Sequence, residues 1–102
     1  MVLYQTDAAR SQAADFLEAL PAWERGQLKA DFHVLERYGT KGPLSTKPIK
    51  GHKPMWEVRT LGFRSFFVQA EDAYVVLHIC KKQDYLHGIE VAAKRMGRIL
   101  GG

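Results

Sequence analysis

Hydrophobic positions along the chain follow a helical period first and a strand period afterwards. After a short apolar segment, "VLYQ", compatible with an edge strand, Ala9, Ala13, Phe16, Leu17 and Leu20 fall at i, i+4, i+7, i+8 and i+11, one buried face of a helix. Thr6 is the expected N-cap of that helix and Asp7 suits its first turn. Pro21 ends it and can open a second, whose stripe is Leu28, Phe32 and Leu35 and whose stop is Gly39. Two helices so closely joined are expected to form an antiparallel hairpin. Residues 40 to 54, "TKGPLSTKPIKGHKP", lack apolar periodicity and read as a loop. "MWEVRT", "FRSFFVQA" and "AYVVLHIC" are β-branched and aromatic runs punctuated by "LG" and "ED", the pattern of an antiparallel meander. Ile89, Ala92, Ala93, Met96 and Leu100 then give a last helical stripe.

The order strand, helix, helix, strand, strand, strand, helix predicts an α+β fold: a small antiparallel sheet with an N-terminal helical hairpin and a C-terminal helix. Helices are expected to cover one face of the sheet and leave the other partly open. At 102 residues the whole chain, 1–102, is expected to be one domain. The apolar runs are too short to span a bilayer and the first ten residues carry no signal-peptide pattern, so a cytoplasmic protein without membrane partners is expected. The single cysteine, Cys80, lies in an apolar run and reads as a buried small hydrophobe.

Charge sharpens this picture. Residues 1 to 40 carry four basic and six acidic side chains, net −2, whereas residues 41 to 102 carry eleven and five, net +6. A polyanion-binding surface would therefore belong to the C-terminal part. No P-loop, dinucleotide-binding glycine pattern, zinc-ligand spacing or nucleophile-elbow serine is present, and no cofactor or metal is expected. What remains is a basic constellation: Lys47, Lys50, His52 and Lys53 in the loop, Arg59 and Arg64 on a hairpin, Lys81 and Lys82 after the last strand, then Tyr85 and His87. With a two-residue turn at Leu61-Gly62, Arg59 and Arg64 face each other, a repulsion that a phosphodiester held between them would offset. Two alternatives stay open at this level. Arg59 could pair with Glu57 or Glu90 while Arg64 points into water, and a three-residue turn would reverse the relative facing.

"MWEVRTLGFRSFFV" followed by "YVVLHICKKQDYLHGIEVAAKRM" resembles the RelE/HigB-like toxin superfamily of type II toxin–antitoxin systems, in particular its phage-derived HigB-type branch. Glu57-Val58-Arg59 matches that family's "ELR" strand, Phe63-Arg64 its "YR" strand and Lys81-Lys82 its "KK". The resemblance implies a microbial-RNase-like toxin that enters the ribosomal A site, cuts mRNA without a metal and is silenced by a cognate antitoxin, expected to be a helix-turn-helix protein. It implies catalytic roles for Arg59, Arg64 and Lys82. The reaction also needs a proton acceptor and a proton donor, for which His87 is a candidate because imidazole titrates close to neutral pH, while Tyr85 could stack on a base or donate a proton. RNA contacts are expected for Lys47, Lys50, Lys53, Lys81 and Tyr85. Departures from the family pattern are Phe63 in place of tyrosine and Gly88 where proline is usual. Two other functions remain compatible with the same fold: a protein-binding toxin of the ParE type that poisons gyrase, and a relative that binds RNA or antitoxin without catalysis.

Overall fold

The structure, a computed structural model, describes residues 1–6 and 8–101. Its elements are β1 (Val2–Leu3), α1 (Gln12–Glu18), α2 (Ala22–Tyr38), β2 (Thr46–Pro48), β3 (Trp56–Thr60), β4 (Phe63–Ala70), β5 (Ala73–Lys81) and α3 (Tyr85–Leu100). The α+β class is as expected: one five-stranded sheet in the order β1-β5-β4-β3-β2 carries the three helices. The β3, β4 and β5 runs form the anticipated antiparallel meander. The edge strand β1 runs parallel to β5, so the sheet is antiparallel except along that one edge.

Several local expectations change. Helix α1 begins at Gln12 with Ser11 as N-cap, its Oγ accepting from the Ala14 amide at 3.1 Å. Thr6 instead closes a turn, accepting the Ala9 amide on its carbonyl and the Arg10 amide on its Oγ1, and Ala9 takes a left-handed φ of 59° that no helix accommodates. The Asp7 expectation falls outside the described residues. Within the segment expected to be a loop, Thr46–Pro48 pairs with β3 as the other edge strand, a place where proline is tolerated because, among the described residues, no further strand pairs beyond it. Leu100, assigned to the buried stripe of α3, is exposed, and Ile99 packs inward in its place.

Helices pack on both faces of the sheet, against the expectation that they would pack on one, and the second face stays partly open as expected. Ala13 and Leu17 of α1 and Leu28, Phe32 and Leu35 of α2 pack on Val58, Phe63, Phe67, Val76 and Ile79. On the opposite face, Ile89, Ala92, Ala93 and Met96 of α3 pack on Phe66, Val68, Leu77 and Cys80. Strand alternation makes this possible: residues 63, 65 and 67 of β4 point to the first layer and 64, 66 and 68 to the second. Gly88 lets α3 approach the sheet closely, since a Cβ there would lie 2.8 Å from Cys80 Sγ and 2.9 Å from Phe66 Cε2. This contact explains the glycine where the related pattern has proline. Cys80 is buried as expected, and burial pushes its thiol up to about 11, outside the reactive range.

Side chains complete the β5 edge where β1 stops. The Gln12 amide donates to the Ile79 carbonyl at 2.8 Å and accepts from the Ile79 amide at 3.1 Å, and Arg95 Nη1 donates to the Leu77 carbonyl at 2.7 Å. An edge satisfied in this way offers little to a foreign strand. Among the described residues, no helix is long and apolar enough to cross a membrane.

Candidate active site: a basic cleft over a buried glutamate

Helix α3 starts at Tyr85 and covers only part of its face of the sheet, leaving the β2–β3–β4 end open. Glu57 and Arg59 alternate onto that face from β3, and Lys47 of β2 lies opposite Glu57 in the register. The β3–β4 turn is the two-residue Leu61-Gly62, so Thr60 pairs with Phe63 and Arg59 with Arg64, excluding the three-residue alternative. Leu61 takes a left-handed φ of 57° to make the turn. Lys82 is drawn to the hairpin by its amide, which donates to the Gly62 carbonyl at 3.1 Å. The result is a cleft of 230 Å³ lined by Lys47, Arg59, Arg64, Lys82 and Tyr85.

Beneath the cleft sits Glu57, fully buried at 0% exposure. Its Oε1 accepts the Tyr85 hydroxyl at 2.6 Å and faces Lys47 Nζ at 3.6 Å. Its Oε2 faces Arg59 Nε at 3.4 Å and Arg64 Nε at 3.7 Å. One carboxylate thus holds two arginines side by side and offsets, within the chain, the repulsion for which the sequence suggests a bound phosphodiester. The alternative in which Arg64 points into water is excluded: its side chain is 11% exposed and is turned inward to Glu57, with Nη1 donating to the Phe63 carbonyl. Arg59 forms the expected alternative pair with Glu57 while remaining 44% exposed.

Electrostatics favours an anion above this floor. Four cationic side chains line the cleft against the single negative charge of Glu57, a formal balance of +3. Both arginines direct a guanidinium edge at the carboxylate through Nε, and a phosphate can take up their remaining N–H donors. Tyr85 is held protonated: burial first, then the hydrogen bond and charge of Glu57, push its hydroxyl up to about 12, against the opposing pull of Arg59 and Arg64. Its ring packs near Phe66 and lies 5.8 Å from Lys47 Nζ, a cation–π distance.

Of the residues singled out in the sequence, Lys47, Arg59, Arg64, Lys82 and Tyr85 converge here. Lys81 does not, because it pairs with Phe63 and its side chain leaves the strand on the α1/α2 side. Lys50 and Lys53 are exposed in the β2–β3 connection, outside the cleft lining. His87 is exposed in the first turn of α3, also outside the lining, and its charge bears on His78. His78 is the core histidine its mid-strand position suggests: Arg95 Nη1 lies 3.3 Å from its Nδ1, and burial followed by the charges of Arg95 and His87 lowers it to about 4. Glu57 is the residue that sequence reasoning passed over as a site member. The available signal was period two: in Glu57-Val58-Arg59 the acid shares a sheet face with Arg59 and, through the register, with Arg64.

Comparison with known proteins agrees with this architecture. A search of curated proteins returned no match. The fold is similar to that of a chain in the crystal structure of the RelB-RelE antitoxin-toxin complex from Methanococcus jannaschii, with a TM-score of 0.65 at 14% identity over 85% of this chain and 96% of that one. The family model described as "Phage derived protein Gp49-like (DUF891)" matches residues 15–97, which include α2, strands β2 to β5, most of α3 and every residue lining the cleft. On that match, the chain belongs to the Gp49-like family of phage-derived proteins.

Proposed function

We propose that this protein is the toxin of a type II toxin–antitoxin pair and that it cleaves mRNA in the ribosomal A site as a metal-independent endoribonuclease. The observation that carries the reading is the Arg59–Arg64 pair held over buried Glu57 and ringed by Lys47, Lys82 and Tyr85. The likeness of the fold to a chain of an antitoxin–toxin complex supports a cognate antitoxin as partner, which we take to be a helix-turn-helix protein.

In the proposed reaction the ribose 2′-oxygen attacks the adjacent phosphorus as the bond from phosphorus to the 5′-oxygen breaks, leaving a 2′,3′-cyclic phosphate and a 5′-hydroxyl. Arg59 and Arg64 stabilise the charge that develops on the phosphorane-like oxygens. Tyr85 stands between the cleft and a carboxylate that RNA cannot reach directly. We assign to it the transfer of the 2′-hydroxyl proton: the phenol oxygen takes that proton while passing its own to Glu57 across the 2.6 Å hydrogen bond. Lys82 offers an ammonium to the departing 5′-oxygen. Lys47 at the cleft, and Lys50, Lys53 and Lys81 outside its lining, would contact flanking phosphates, giving an affinity that falls with salt. His87 would serve from outside the cleft and is tested beside the others.

The test is to map mRNA 5′ ends in a reconstituted translation reaction with and without ribosomes. Arg59→Lys keeps a charge but loses the bidentate fork, and it should lower cleavage by roughly 10²-fold. Arg64→Ala should abolish cleavage, and because Arg64 is tied to Glu57 its folding is checked by circular dichroism beside Arg64→Lys. Cuts within translated codons that need the ribosome and both arginines support the reading. Intact mRNA together with arrested growth in cells would redirect it to a protein-binding toxin, and neither effect would leave a non-catalytic relative.

A further inference from the structure

A second recess lies on the opposite side of the sheet, apart from the charged cleft. Helix α2 ends at Gly39, and the first hydrophobic layer therefore stops short of the far end of β3, β4 and β5. There Trp56 pairs with Phe67 and Gln69 pairs with Tyr74, with Phe67 and Gln69 on alternate positions of β4, so all four share one face. They line a half-open cavity of 340 Å³ that the Glu71 turn also borders, a size suited to a small ligand group. Phe67, 1% exposed, forms the floor and meets the Tyr74 ring edge-on at 5.6 Å and 77°. Trp56 and Tyr74 stand on strands two apart, about 10 Å, enough for one planar group to lie between them above Phe67.

We propose that this recess receives a guanidinium group, the arginine side chain of a partner polypeptide. The half-buried rings of Trp56 and Tyr74 line the recess above Phe67 and can attract a cation, the Glu71 carboxylate supplies the countercharge, and the Gln69 carbonyl is a further acceptor. No lysine or arginine is among the lining residues, in a chain whose net charge is +4, so the recess is a local cation-accepting island. A nucleotide would bring its phosphate against Glu71, with no basic group among the residues that line the recess. Guanidinium is favoured over ammonium because a flat, weakly hydrated cation both stacks on rings and donates to several acceptors in one plane.

The experiment uses the full chain with Trp23→Phe, which leaves Trp56 as its one tryptophan. Nα-acetyl-arginine amide should produce a saturable change in Trp56 fluorescence with a millimolar midpoint, and the citrulline amide, uncharged and nearly the same shape, should produce none. Glu71→Gln, an exposed change that leaves the rings in place, should weaken the arginine response roughly fivefold. Absence of saturation into tens of millimolar, or an equal response to citrulline, would overturn the proposal. A saturable response to adenosine monophosphate that Glu71→Gln leaves unchanged would overturn it in favour of a nucleobase site.

Discussion

Glu57 lies on a strand, wholly out of water, with four potential proton or charge donors directed at its two oxygens. Burying a carboxylate is unfavourable unless each oxygen is satisfied, and both are. The two arginines depend on the acid as much as the acid depends on them. Replacing Glu57 by Gln keeps the shape and a partner for Tyr85 but leaves Arg59 opposite Arg64 with nothing between. We expect a loss of about 2 kcal/mol, below the cost of breaking a fully buried pair because Arg59 is half exposed. Urea unfolding measures it, and Glu57→Gln combined with Arg59→Gln should recover part of the loss, since the repulsion then disappears. An unchanged midpoint in the single variant would mean that the arginines are held apart by other means.

At the scale of elements, how much could be read in the sequence depended on how local the determining physics was. The β3, β4 and β5 runs and the stripes of α2 and α3 follow from apolar spacing within each segment, and the Arg59–Arg64 pairing follows from one turn. The cover over the second sheet face did not, because which face a C-terminal helix chooses is a matter of tertiary packing. Nor did β2, whose three residues become a strand only through pairing with β3. Leu61 and Glu71 depart from local preference in the same way, each a non-glycine residue at positive φ in a two-residue turn, one beside the charged cleft and the other bordering the aromatic recess. The lysines of the loop illustrate the limit at the site: composition grouped Lys47 with Lys50 and Lys53, and only the register of β2 separates the one at the cleft from the two outside its lining. Gly88 gives a test at this scale. Alanine there would improve helix propensity by about 1 kcal/mol but would press on Cys80 and Phe66, and overpacking of this kind costs about 1–3 kcal/mol. Gly88→Ala should therefore lower the thermal midpoint, and a raised midpoint would mean that α3 can withdraw from the sheet at no cost.

For the whole molecule, stability should respond to acid through His78. Its folded-state value is depressed from 6.5 to about 4 by burial and by the charges of Arg95 and His87, with Asp84 opposing. The unfolded chain then binds a proton between those values that the folded chain refuses. The contribution is fully present above pH 6.5 and is lost as pH falls through 4. The difference in urea midpoint between wild type and His78→Gln should shrink or change sign across that window in favour of the variant. Parallel pH profiles would show that His78 is protonated without cost.

The five residues of β3 carry a last consequence. Glu57 and Arg59 serve the charged cleft on one side of the sheet, while Trp56 and Val58 serve the aromatic recess and the first core on the other. Removing a single codon within Trp56–Thr60 would exchange these sides for the part of the strand on one side of the deletion, sending charge toward the apolar layer and apolar side chains toward the cleft. The gene is thus expected to tolerate many substitutions along this strand and almost no change in its length, so length variation among natural relatives should collect in the connections before and after it.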